Sequence, residues 1–303
     1  MNILKQRVIP GILFAIFIIS FVVIGEILGS KSYEIRIICY LFVSMMTWVI
    51  GYELFKAFRL PKWIIYLLPF AIILCIFMPI NTSMELLRNI PNQISVDKLK
   101  VYTNEALFNW VNLIIFTIIT LLFLLIELST RVNMTFADRI IRALHIWFSL
   151  FFITNSMIFL LYISFYNWQL IILLFGASVV TDTGGFFGGL LFGKKWINLP
   201  FAPNISPKKT WEGFIVGVSL CLIFSASIIF GFNLFGGQVF LQIIAAIIAP
   251  LAAVIGDLYF SYLKRLNAVK DYSKILLAHG GILDRFDSLC VIVTMIALIY
   301  KFV

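Results

Sequence analysis

Apolar runs of about 20 residues, enough to carry a helix across roughly 30 Å of hydrocarbon, recur nine times along the chain. They lie at 8–29, 35–56, 63–80, 106–128, 144–166, 168–191, 212–232, 238–263 and 288–303. The pattern predicts an all-α, polytopic membrane protein of about nine transmembrane helices, folded as a single domain over 1–303. The first run follows Lys5 and Arg7 and stays apolar to Leu28. It lacks a small-x-small cleavage site and reads as a retained span rather than a signal peptide. The sixth run contains the polar stretch Thr181-Asp182-Thr183-Gly184-Gly185, and the ninth is short.

Composition excludes a soluble reading. Of 303 residues, 62% are apolar and 12% charged, with a mean hydropathy of +1.06, against about 45–50% and about 25% in soluble domains. Disorder, collagen-like repeats and a secreted disulfide scaffold are excluded too. The net charge of +9 is read as topology and headgroup contact, with no nucleic-acid partner. Nine spans put 17 of the 23 Lys and Arg on the side of the N-terminus and of the loops near 57–62, 129–143, 192–211 and 264–287. That side is therefore expected to be cytoplasmic. Cys39, Cys75, Cys221 and Cys290 stand singly in apolar runs and read as small buried hydrophobes.

Polarity divides the chain into a scaffold of mainly plain spans, 1–166, and a polar-marked region, 176–303, where three stretches carry candidate chemistry. Asp182, at Asp182-Thr183-Gly184-Gly185, is a carboxylate inside a span and so a functional candidate. Its glycines allow close approach to a ligand or, alternatively, to a neighbouring helix. Ser206-Pro207-Lys208-Lys209-Thr210-Trp211-Glu212-Gly213 precedes the seventh span. Two lysines and a hydroxyl at a helix start suit an anion, yet the spacing reads equally as a positive-inside loop. The strongest stretch joins Gly256-Asp257 to residues 261–287. If the eighth helix runs on to Arg265, then Asp257, Ser261, Lys264 and Arg265 share one side. Asp284 and Asp287 share a helix face by the same spacing. Aspartates beside Lys and Arg at membrane depth suit a divalent metal plus phosphate. Gly280-Gly281 offers a tight turn before them. His279 is open between general base, phosphate donor and structural partner, and His145 reads as interfacial.

The 261–287 stretch closely resembles the pattern of the phosphatidate cytidylyltransferase (CDP-diacylglycerol synthase) family, S-x-x-K-R, K-D, then H-G-G-x-x-D-R-x-D. Ser261, Lys264, Arg265, Lys270, Asp271, His279, Gly280, Gly281, Asp284, Arg285 and Asp287 fall in register. Asp182-Thr183-Gly184 and the Ser206 to Gly213 stretch resemble upstream motifs of that family. Leu277 and Leu190 depart from its usual residues and bear on loop shape and one phosphate contact.

The resemblance implies transfer of CMP from CTP to phosphatidate, giving CDP-diacylglycerol and pyrophosphate for phospholipid biosynthesis. It implies a metal centre at Asp257, Asp284 and Asp287, holding Mg²⁺ or Mn²⁺, with a monovalent cation as a further assistant. Asp182, Lys209, Lys264, Arg265, Lys270, His279 and Arg285 are the implied catalytic set. Ser206, Lys208, Thr210, Ser261, Gly280 and Gly281 are the implied substrate-binding set. A homodimer in a bacterial cell membrane, with the site facing the cytoplasm, is the matching expectation. A CTP-dependent polyprenol or phytol-type lipid kinase is the alternative. A transporter fits less well, because the charges gather at one face and one end of the chain.

Overall fold

The computed structural model describes residues 20, 25, 29, 32–88, 96–131, 134–199, 201–276 and 280–303, and its secondary structure there is all helical. Ten α-helices follow in order: α1 Tyr33–Ala57, α2 Lys62–Ile76, α3 Ile80–Arg88, α4 Val96–Leu107, α5 Trp110–Thr130, α6 Phe136–Ser164, α7 Trp168–Phe192, α8 Trp211–Gly231, α9 Val239–Leu266 and α10 Leu283–Tyr300. Small polar residues start five of the long ones. Ser32, Asn109, Thr135, Asn167 and Thr210 each accept a hydrogen bond from a backbone N–H of the first turn, satisfying donors that hydrocarbon could not.

Six described helices are long and apolar enough to cross a membrane, seven if α2 and α3, which meet at 67°, form one bent span. The difference from nine has specific sources. The expected first span falls almost entirely outside the described residues. The third becomes the 15-residue α2, which ends before the turn into α3. The ninth is α10, whose first turns carry Asp284, Arg285 and Asp287.

Burial sorts the helices. From Phe286 to Val293 every residue of α10 is buried, and it packs against α9, α6, α7, α4 and α1. A helix that is apolar all round belongs at the centre of the bundle. By contrast α2 and α5 expose Trp63, Leu67, Phe70, Ile118, Leu121 and Leu125, faces suited to lipid contact.

Close approach of α7 and α8 follows from small residues. A Cβ on Gly217 would lie 2.7 Å from the Thr181 carbonyl oxygen and 2.9 Å from the Gly185 nitrogen, and one on Gly184 would lie 3.1 Å from Gly217 Cα. This stripe is a helix-packing seam.

The four basic loops share one end of the bundle. Arg131 donates to the Phe58 carbonyl at 2.8 Å, and Arg265 Nε donates to the Ile205 carbonyl at 3.2 Å. Glu53, one turn before the end of α1, reaches the N-terminus of α10. Some of these cations also have structural work. Arg142 forks onto Glu127 with two contacts of 3.1 Å, both side chains being buried, and Arg131 pairs with the same carboxylate at 3.1 Å.

Candidate active site

The polar centre lies at this basic end, where α7, α8, α9 and α10 converge. α9 continues to Leu266, so the expected shared face is present. Ser261 donates to Asp257 Oδ1 at 3.3 Å. One turn further, Lys264 reaches across to α10, 2.8 Å from Asp284 Oδ1 and 3.7 Å from Asp287 Oδ2. One ammonium thus spans both carboxylates, as their three-residue spacing requires. Gly256 explains how the two helices come this close. A Cβ there would stand 2.9 Å from Ser288 Cα and 3.1 Å from the Asp287 carbonyl oxygen. The glycine therefore brings the α10 backbone against α9 beside Asp257.

The loop after α9 is tied to the same carboxylates. Asp284 Oδ2 accepts from Tyr272 N at 2.9 Å and from Gly281 N at 2.8 Å. Gly280 has φ +79°, and a Cβ there would meet Asp284 Oδ2 at 2.8 Å. A side chain is excluded both by conformation and by space. Tyr272 donates its hydroxyl to the Phe260 carbonyl at 3.0 Å. Burial, then the nearby Asp287 and Asp284, pushes its phenol well above the usual range, so it stays a neutral donor.

From the other side, Lys209 donates to Asp257 Oδ2, joining the loop before α8 to the carboxylate of α9. Lys208, its neighbour, is exposed. Thr210 caps α8 by accepting from Gly213 N at 3.1 Å, and the Ser206 carbonyl accepts from Lys209 N at 3.1 Å. Glu212 accepts from Trp196 N at 3.0 Å and Ile197 N at 2.9 Å. It thereby shapes the loop after α7 and does more than complement a helix dipole. Asp182 is exposed toward a cavity of about 430 Å³ between α7 and α8, lined also by Phe186, Leu190, Phe214, Lys208, Lys209 and Thr210. Leu190, one of the two departures from the family pattern, contributes an apolar wall there. Asp182 interacts electrostatically with Asp257, Lys209 and Arg285, and Asp287 with Asp257, Lys264 and Asp182.

Two expected residues stand apart. Lys270 is exposed in the loop after α9 and forms no ion pair with another described residue. His279, with Leu277, lies outside the described residues. Arg265 holds the Ile205 carbonyl and so ties α9 to the Lys209 loop.

Among the described residues no group of three or more His, Cys, Asp or Glu converges as a ready ligand set for a divalent ion. Asp284 already accepts from three protein donors. Asp257, Asp287 and Asp182, in mutual electrostatic range, are all-oxygen donors of the kind hard cations prefer. By donor type these carboxylates suit Mg²⁺ or Mn²⁺, while in this arrangement Lys209 and Lys264 supply the countercharge to Asp257 and Asp287 and the three oxygens do not converge on one point.

Glu53 is the residue that reading the sequence missed. It is a fully buried carboxylate of α1, bonded to the backbone at 282 and 283. Its signal was a lone acid inside the second apolar run, the same signal that singled out Asp182.

Comparison with known proteins gives a concordant result. Residues 5–303 match the sequence pattern described as the cytidylyltransferase family. Phosphatidate cytidylyltransferase of Helicobacter pylori is 44% identical over 119 residues, 39% of this chain and 42% of that protein. The enzyme of the same name from Mycobacterium bovis is 39% identical over 113 residues, covering 37% and 35%. That from Rickettsia conorii is 37% identical over 141 residues, covering 45% and 59%. The chain spans about two fifths of the length of the Helicobacter relative and less than two thirds of each of the others.

Proposed function

The chain belongs to the cytidylyltransferase family, and from that premise we propose that it transfers the cytidylyl group of CTP to phosphatidate, giving CDP-diacylglycerol and pyrophosphate. The names of its relatives support the reaction. The observation that carries the reading is the cavity beside the carboxylate cluster. Phe186, Leu190 and Phe214 give it an apolar wall suited to acyl chains, while Asp182, Lys208, Lys209 and Thr210 make its polar end. Such a site takes a lipid from the bilayer and a phosphate from water together.

In this reaction a phosphate oxygen of phosphatidate attacks the α-phosphorus of CTP. The bond from that phosphorus to the bridging oxygen of the β-phosphate breaks, and pyrophosphate leaves. No protein nucleophile is needed, so the chain contributes positioning and charge. Lys209, held at Asp257, binds phosphate oxygens at the polar end of the cavity, and exposed Lys208 adds only a solvent-screened positive charge beside it. Lys264 keeps Asp284 and Asp287 on one ammonium and so fixes the start of α10. Arg285, exposed beside them, meets the leaving pyrophosphate. Asp257, Asp287 and Asp182 are the carboxylates that would hold a divalent ion, and such an ion would supply neutralisation of charge on the reacting phosphates.

The basic end is assigned to the cytoplasm, where CTP is found. The excess of Lys and Arg on that side supports this, and it persists with 14 left after Arg131, Arg139 and Arg142 are set aside as structural. Purified protein in phosphatidate-containing micelles, given CTP labelled in the α- or the γ-phosphate, tests the reaction. Label from the α-phosphate should enter lipid and label from the γ-phosphate should appear as pyrophosphate. Release of CDP with γ-label in the lipid, when a polyprenol or phytol replaces phosphatidate in the micelles, would instead establish the lipid-kinase alternative.

A further inference from the structure

We propose that Glu53 is a positioning residue for the reaction, a carboxylate lent by the scaffold helix α1 that holds the backbone at 282 and 283 and thereby aims Asp284 and Asp287; this rests on the reaction proposed above. Three donors converge on it. Glu53 Oε1 accepts from the Ser273 hydroxyl and from Ile282 N at 3.0 Å, and Oε2 accepts from Leu283 N at 2.6 Å. The side chain is fully buried. α10 begins at Leu283 after Ile282, which offers no side-chain cap. Two N–H groups at its start, those of Ile282 and Leu283, are therefore satisfied from a helix about 230 residues away in sequence, and a negative charge at a helix N-terminus is favourable in its own right.

The second glycine of the Gly280-Gly281 pair follows from the same contact. A Cβ on Gly281 would lie 2.6 Å from both Glu53 oxygens. The two glycines thus have different reasons, Gly280 for its φ and for Asp284, Gly281 for Glu53. Gly281 N in turn donates to Asp284 Oδ2 at 2.8 Å. Glu53 is therefore linked to the aspartate cluster through one residue, Gly281, which lies between the two hydrogen-bonded N–H groups.

The full chain in nanodiscs tests this with two independent readouts, backbone hydrogen exchange over 280–287 and kcat per folded protein. Glu53→Ala should speed exchange over that segment tenfold or more and lower kcat at least tenfold. Glu53→Gln, which keeps one acceptor oxygen, should fall between it and the wild type. Gly281→Ala should be severe in the wild-type background and add little to Glu53→Ala, since the carboxylate it would strike is gone. A purely structural role would reduce folded yield but leave kcat per folded protein unchanged. Unchanged exchange, unchanged kcat in Glu53→Ala, or equal harm from Gly281→Ala in both backgrounds would overturn the proposal. Wild-type protein that transfers no cytidylyl group would sink the reaction instead, and the exchange arm would still decide whether Glu53 holds the loop.

Discussion

Lys264→Met isolates one charge in the centre of the site. Methionine keeps most of the apolar stem and deletes the ammonium. That ammonium stands 2.8 Å from Asp284 and 3.7 Å from Asp287, and the three side chains are 11%, 5% and 11% exposed. At an effective dielectric near 20, each contact is worth roughly 4–6 kcal/mol of Coulomb energy. Desolvation of the three groups offsets most of it, and breaking a buried pair from one side costs about 3–5 kcal/mol. The variant should lose about that much stability in a reversible unfolding experiment in mixed micelles. It should also lose turnover by about tenfold or more, the equivalent of one charge-assisted contact. The deciding measurement is the double variant with Asp284→Asn. Removing one of the stranded carboxylates should make the combined loss smaller than the sum of the two single losses, by about 1–3 kcal/mol. A Lys264→Met cost under about 1 kcal/mol, with strict additivity in the double variant, would refute the bridging role.

Three other outcomes follow from the geometry. Lys209→Ala should cut turnover tenfold or more, because the side chain pairs with Asp257, whereas exposed Lys208 should lose far less; equal small losses, measured at saturating and limiting CTP, would return the stretch to a topology marker. Gly217→Ala should destabilise by about 1–3 kcal/mol or more, since its Cβ meets the backbone of α7 at 2.7 Å. Gly231→Ala, with nothing within 4 Å, is the matched neutral control, and similar unfolding midpoints for both would refute the seam. A cysteine placed at exposed Lys274 should react with an impermeant thiol reagent only when the inner face is open, against a low background because the four native cysteines are buried; labelling of intact cells would reverse the assigned orientation.

Sequence alone determined whatever depends on a segment and its solvent. Hydropathy marked the lipid-facing character and located all eight of the expected helices that lie within described residues. Helical periodicity put Asp257 with Ser261 and Asp284 with Asp287 on common faces, because residues three or four apart are neighbours in any α-helix. Which helix stands beside which was not legible, since in lipid every apolar helix satisfies the hydrophobic pattern equally well. Neighbours are chosen by close packing at small residues and by hydrogen bonds across helices. Only the tertiary structure therefore joined Lys209 to Asp257, Arg142 to Glu127, and Glu53 to the first turn of α10. It also resolved the glycines of α7 and α8 into a packing seam that still borders the cavity. Those pairings join residues 15 to 230 positions apart, beyond the reach of any local pattern, and they convert a set of polar residues at one membrane face into a site with defined geometry.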